Sequence, residues 1–197
     1  MEVPFADDKG VQWMLAFQAG SEPAFDRLVE AYSGQVYALF TRFLGAVPER
    51  EDMVQEVFLR ILRSRERYTP TARFSTFLYR VAFNLAVNHS ERDKHTRPLD
   101  GDPGLVESSA QQVKASEDGD PVRSMETSDV VQAVRQAIAA LPETQRMALI
   151  LAKYEEQSFA EIAVVLGSSE KAIKSLVHRA RENLRERLKP FLEKELA

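Results

Sequence analysis

The sequence predicts an all-α protein: two small helical domains joined by a flexible acidic linker, the C-terminal one a helix-turn-helix. Three observations carry that expectation. Apolar residues recur at i, i+3, i+4 and i+7 in nearly every patterned segment, and no strand pattern is visible. Residues 97–127 break the pattern with Pro98, Gly101, Pro103, Gly104, Gly119 and Pro121 and keep no hydrophobic period. After Ser158 two helical patterns meet at Gly167-Ser168-Ser169, and the second is apolar on one face and basic on the other.

The elements follow in order. A short helix is expected around Val11 to Ala19. Phe25, Leu28, Val29, Tyr32, Val36, Leu39, Phe40 and Phe43 then mark one long amphipathic helix, with Ser21 as N-cap and Pro23 in its first turn. Pro48 opens the next, with Val54, Val57, Phe58, Ile61 and Leu62 inward. Tyr68-Thr69-Pro70-Thr71 is a loop. The following helix places Phe74, Phe77, Leu78, Val81 and Leu85 on its buried stripe, closing a first domain over 8–96.

A second domain, 128–194, starts near Ser128 after the linker. Val130, Val134, Ala137, Ile138 and Leu141 form one helix face. Pro142 restarts the chain, and Met147, Ile150, Leu151 and Tyr154 face inward from the next helix. Ser158 and Glu161 stand at capping-box spacing before Phe159, Ile162, Ala163 and Leu166. Gly167 sits at the C′ position, and Ser168 is expected to cap a last helix with Ile173, Leu176, Val177, Ala180, Leu184 and Leu188 as its core stripe.

Composition excludes several functions. Among 197 residues there is no cysteine, which removes disulfides, thiolate metal sites and thiol nucleophiles and fits a reducing cytosol. The N-terminus lacks a basic stretch followed by an apolar one, so no secretory signal is visible, and no apolar run approaches the roughly 20 residues needed to cross a bilayer. The chain is therefore expected in the cytoplasm with no membrane insertion. Net charge is −4, but the charge is segregated. Residues 60–97 hold nine Arg/Lys against three Asp/Glu, residues 168–190 seven against three, and residues 100–129 two against eight. Two basic blocks flanking an acidic one can present two phosphate-facing surfaces.

Three polar faces are candidate binding sites. On the last helix, Lys171, Lys174, Ser175 and His178 lie at i, i+3, i+4 and i+7 opposite the core stripe, with Ser169 before them and Arg179 and Arg181 beside them. Lys and Ser near a helix start can reach base edges, while Arg holds phosphates and fixes register. On the helix from Phe74, Arg80, Asn84, Asn88, Glu91 and His95 share a face with Arg92 alongside, preceded by Thr71, Ala72 and Arg73. Asn is costly inside a helix, and hydrogen bonding to bases would account for two of them one turn apart. Tyr68, Phe74, Phe77, Tyr79 and Phe83 supply rings on which unpaired bases could stack; of these, Phe77 is read as core and Tyr79, Phe83 and one edge of Phe74 as available. On the helix after Pro48, Asp52, Gln55, Glu56 and Leu59 form an outward stripe that suits a docking partner or solvent. Enzyme signatures are thin: three histidines without ligand spacing, eight scattered glycines and no nucleophile elbow. No catalytic residue, metal or cofactor is expected.

In sum these segments resemble a bacterial RNA polymerase sigma factor of the extracytoplasmic-function (ECF) group. Glu49–Tyr68 resembles the polymerase-docking helix of region two, Phe74–Arg92 the promoter-melting helix, and Leu141–Leu188 region four. The resemblance implies a promoter-specificity subunit whose partners are core RNA polymerase, promoter DNA and an anti-sigma factor. It implies that Asp52, Gln55, Glu56 and Leu59 dock on a coiled coil of the polymerase. It further implies that Thr71 to Phe74 with Asn84 hold a base flipped from the −10 non-template strand. Arg80, Asn88 and Arg92 would lie along adjoining DNA. Ser169, Lys171, Lys174, Ser175, His178, Arg179 and Arg181 would serve the −35 element. Two positions depart from the family's pattern: Phe77 stands where Trp is usual, and Phe83 precedes Asn84 where Arg is common. With no extra C-terminal domain in the sequence, a minimal member is expected.

The residues alone leave two other readings open. One is a stand-alone regulator binding a palindromic duplex site without polymerase. The other is a helical enzyme using His89 and Asp93 as an acid–base pair, although nothing in the sequence orders them beside a nucleophile or metal.

Overall fold

Helix boundaries fall where local chemistry places them. The computed structural model describes residues 4–45, 47–96 and 131–195. The helices are α1 (Lys9–Gln18), α2 (Glu22–Leu44), α3 (Arg50–Arg63), α4 (Phe74–Thr96), α5 (131–139), α6 (Glu143–Lys153), α7 (Phe159–Leu166) and α8 (Glu170–Glu195), with one 3₁₀ turn at Arg65–Arg67. No strand occurs among the described residues. The expected linker 97–127 and the start of the second domain near Ser128, with Val130, lie outside them.

Asp8 caps α1 by accepting the Val11 N–H at 2.9 Å. Ser21 holds the N-cap position of α2 as expected but makes no side-chain cap; the Ala24 N–H bonds its carbonyl instead, at 3.1 Å. Ser158 and Glu161 form both halves of the expected capping box. Gly167 adopts φ +59°, a left-handed conformation at little cost only for glycine, and the Ser168 N–H closes the motif on the Ala163 carbonyl at 2.9 Å. Ser168 is thereby spent on ending α7. The cap of α8 is Ser169, whose hydroxyl accepts from the Ala172 N–H at 3.2 Å, which corrects the expected cap by one residue.

The core is continuous. Met14, Phe17, Leu28, Leu39, Phe40, Phe43, Phe74 and Leu78 from the first half join Met147, Ile150, Leu151, Ile162, Ile173 and Val177 from the second. Gly10 lets α1 approach α4 closely: a Cβ there would meet the Phe74 side chain at 2.7 Å and the Tyr32 hydroxyl at 2.6 Å. Two expected inward residues face out instead. Leu62 is 41% exposed and Tyr154 48%, while α6 buries Met147, Ala148, Leu149, Ile150 and Leu151 on almost all sides. On α4 the buried line is Phe74, Leu78, Ala82 and Ala86 with Tyr79, rotated from the expected stripe, and Phe77, Val81 and Leu85 are only half-buried. The rotation follows from packing on two sides, because α4 contacts α1, α2 and α3 and also α7.

Candidate nucleic-acid interface

α4 sets one candidate surface. Arg80, Asn84, Asn88, Glu91 and Arg92 all lie exposed along it, as their spacing predicts; the side chain of His95 is outside the described residues. The Asn84 and Asn88 amides have no hydrogen-bond partner among the described residues. Ahead of them, Thr71 and Arg73 are exposed and Ala72 half-buried. This loop borders a cavity of about 250 Å³ lined by Ser64, Arg67, Tyr68, Thr69, Thr71, Ala72, Phe77, Arg80 and Val164. Ser64, Arg67, Thr69 and Val164 were not singled out from the sequence. Their contribution depends on three chain segments meeting, which no local pattern announces.

The rings sort differently from the sequence reading. Phe74 is fully buried, packed at 5.0 Å on Tyr32 and 6.1 Å on Phe77, so it has no exposed edge for a base and instead anchors the loop. Tyr79 is 2% exposed and donates its hydroxyl to Glu155, which takes it out of any stacking surface. Tyr68 is buried beneath Phe77, and burial, reinforced by the charge of Asp8, pushes its phenol up to about 12. Phe77, expected in the core, is the half-buried ring that faces the cavity, with the Arg80 guanidinium 5.9 Å from its centre. Phe83 is half-buried, edge-on to Phe43 at 6.2 Å.

α8 sets the second surface. Ser169, Lys171, Lys174, Ser175, His178, Arg179 and Arg181 are all exposed, while Ile173, Val177 and Ala180 turn to the core. Several are pre-positioned along the helix. Lys174 Nζ lies 2.9 Å from Glu170 Oε1, Ser175 donates to the Lys171 carbonyl at 3.2 Å, and Arg179 Nε donates to the Ser175 carbonyl at 3.3 Å. Such exposed pairs contribute about 0.5 kcal/mol or less and exchange readily for a phosphate.

α3 carries the third face. Asp52, Gln55 and Leu59 are exposed, Leu59 to 45%, whereas Glu56 is half-buried between Arg60 at 2.9 Å and Arg63 at 3.6 Å. Beside this stripe runs an apolar groove of about 630 Å³ between α2 and α3, walled by Phe25, Val29, Tyr37, Val54, Phe58 and Leu59. Half of its wall belongs to α2, so the stripe read on α3 alone shows only one side.

Among the described residues the fold is all helical, with a capped helix-turn-helix that is basic on its outer face and a second helix, α4, that bears exposed amides and lines a cavity through Phe77 and Arg80, features of a DNA-binding protein. Comparison with known proteins specifies the class. Residues 28–96 match the family model described as Sigma-70 region 2, and residues 131–184 match Sigma-70, region 4. The chain is 33% identical over 174 residues to the ECF RNA polymerase sigma factor SigW of Bacillus subtilis, covering 86% of this chain and 91% of that protein. It is 31% identical over 179 residues to the ECF RNA polymerase sigma-E factor of Escherichia coli, covering 89% and 92%. Among solved structures it is similar in fold to CnrH bound to the cytosolic domain of CnrY, with a TM-score of 0.65 and 22% identity over 93% of this chain and 99% of that one. It is also similar to the sigma factor RpoE of Bartonella quintana in complex with the anti-sigma factor NepR, with a TM-score of 0.63 and 22% identity over 84% and 96%. The chain belongs to the ECF RNA polymerase sigma factors, the promoter-specificity subunits of bacterial RNA polymerase.

Proposed function

We propose that the chain directs core polymerase to promoters by dividing the work among its three surfaces, contributing no catalytic group of its own. The domains would be 8–96 for docking and the −10 element, 97–127 as tether and 128–194 for the −35 element. Asp52, Gln55, Glu56 and Leu59 dock on the polymerase, with Leu59 at the edge of the apolar groove as anchor. Thr71 and Ala72, on a loop pinned by buried Phe74, border the cavity that receives a base extruded from the −10 non-template strand, with Arg73 next to them in the same loop. Flipping costs a few kcal/mol of stacking, and a pocket that satisfies the exposed base edge recovers it. Asn84 supplies an amide there, Phe77 a ring face, and Arg80, Asn88 and Arg92 continue along the adjoining strand. Ser169, Lys171, Lys174, Ser175, His178, Arg179 and Arg181 serve the −35 major groove, Lys and Ser toward bases and Arg toward phosphate.

The observation that carries this reading is the pair of exposed amides on α4, without a hydrogen-bond partner among the described residues, on the helix whose Phe77 and Arg80 line a cavity of about 250 Å³. Solvent alone gives no reason to keep two helix-disfavouring residues there. One solved structure similar in fold is a sigma factor in complex with an anti-sigma factor, which supports control of this chain by an anti-sigma factor in the cytoplasm. Among the described residues no helix is long and apolar enough to cross a membrane. The test is in vitro transcription with bacterial core polymerase, with and without the chain, on a genomic promoter library read by RNA 5′ ends. Discrete new starts sharing two upstream motifs are expected. Unchanged starts, with a control sigma active on the same core, would refute the assignment.

A further inference from the structure

α1 carries none of the promoter-reading roles, and residues 9–18 lie outside both matched family stretches. Its last residue nonetheless holds the backbone behind one wall of the cavity beside the 71–74 loop. The half-buried Gln18 directs its amide Nε2 at three backbone carbonyls, those of Arg65 at 2.9 Å, Tyr68 at 3.1 Å and Glu66 at 3.3 Å. The two amide hydrogens are shared among acceptors 47 to 50 residues further along the chain. Next to them the Arg65 guanidinium lies 4.4 Å from the centre of the buried Phe17 ring and 3.0 Å from Glu22 at the start of α2. The 3₁₀ turn is therefore tied to the end of α1 on one side. On the other it leads to the cavity, which Ser64, Arg67, Tyr68 and Thr69 all line.

We propose that Gln18 is a positioning residue for base capture: it fixes the backbone of residues 65–68 and thereby the shape of the cavity that receives the extruded base. The inference rests on the assignment of that cavity as the base-holding site. The segment's own hydrogen bonds hold it weakly. The Arg67 N–H bonds the Ser64 carbonyl at 3.0 Å, but the Tyr68 N–H reaches the Arg65 carbonyl only at 3.4 Å, and Pro70 has no N–H to give. The buried Tyr68 ring, packed on Phe77, fixes one point of the wall. Arg67 and Thr69, its exposed lining residues, each stand next to a carbonyl that Gln18 holds. Three converging carbonyls require a donor between them: an N–H offsets the repulsion of their oxygens, and a carboxylate would add to it. The fold makes no comparable demand on the amide. Val11, Met14 and Phe17 already bury α1 in the core, and Asp8 caps its start.

The test uses holoenzyme assembled from core polymerase and the full chain. It is bound to a mapped promoter whose −10 non-template strand is single-stranded, with an abasic nucleotide moved through that strand one position at a time. Wild-type holoenzyme should lose affinity sharply when the abasic nucleotide falls at the captured position. Gln18→Met, equal in length but without a donor, should shrink that loss about tenfold, the scale of one hydrogen bond, and leave the other −10 positions and the −35 element as in the wild type. Gln18→Lys restores a donor and should discriminate within about twofold of the wild type, whereas Gln18→Glu, which only accepts, should do no better than Gln18→Met. The discrimination is a ratio measured on one holoenzyme, so it does not depend on how much of a variant folds. A Gln18→Met holoenzyme that discriminates as the wild type does would overturn the proposal. So would a Gln18→Lys holoenzyme no better than Gln18→Met, or equal weakening at every −10 position. Failure of the base-holding assignment shows separately, as a wild-type holoenzyme for which no abasic position costs more than its neighbours.

Discussion

The polar faces of α4 and α8 differ in kind. The α8 face is cationic and held in order by its own neighbours, through Glu170 to Lys174 and the Lys171 and Ser175 carbonyls. Its charges attract any polyanion at long range, so part of its binding is indifferent to sequence. The α4 face sets the amides of Asn84 and Asn88, which carry no charge and have no partner among the described residues, between the exposed Arg80 and Arg92. Amides are rewarded only when a base edge comes within hydrogen-bond reach, which inside a duplex happens in a groove and otherwise requires a flipped base. On the proposed assignment, the first face finds and holds DNA and the amides of the second check a base that has already left the stack.

Breaking the α4 side should have the larger effect. Asn84→Ala should reduce open-complex formation by a few kcal/mol, on the order of a hundredfold, the scale of an extruded base left without its partner. The same change should raise thermal stability slightly, by about 0.5 kcal/mol, because alanine is the better helix former. Footprinting of the melted strand and a melting curve would separate the two, and a loss of stability would place Asn84 in the fold rather than the site. Lys174→Ala sharpens the comparison from the other side. Reading a base, it should cost about 1–3 kcal/mol at one −35 position; touching only phosphate, it should weaken all promoters alike and lower the salt slope by about one unit. Smaller still is Ser158→Ala. Losing the capping-box hydroxyl should cost about 1 kcal/mol of stability in chemical unfolding, with −35 binding changed only as far as α7 supports α8. A loss several times larger would mean that α7 is held chiefly by its cap rather than by Ile162, Ala163 and Val165.

Where the sequence was legible, the signal was local. The Ser158–Glu161 box, the left-handed Gly167 and the alternation of Ile173, Val177 and Ala180 with Lys171, Lys174 and His178 each arise within one or two turns of chain, and each appears where expected. The exposed face of α4 was legible for the same reason. Its buried face was not, because two partners share it. Ala82 and Ala86 are buried by close approach rather than by bulk, so a periodicity weighted toward large residues pointed to Phe77, Val81 and Leu85. Tyr79 read as a spare ring because Glu155, which takes its hydroxyl, is 76 residues away. Gly10 drew no notice for a similar reason, since only the packing of α1 on Phe74 gives its missing side chain a purpose.

The division of labour between the two faces is tested most directly by transcription on a promoter whose −10 region is mismatched and already open, compared with the matched duplex. Asn84→Ala holoenzyme should regain most of its activity on the opened template, because the melting step no longer depends on capture of the base. Lys174→Ala holoenzyme should keep its defect on both templates. Equal rescue of the two variants, or rescue of neither, would contradict the account.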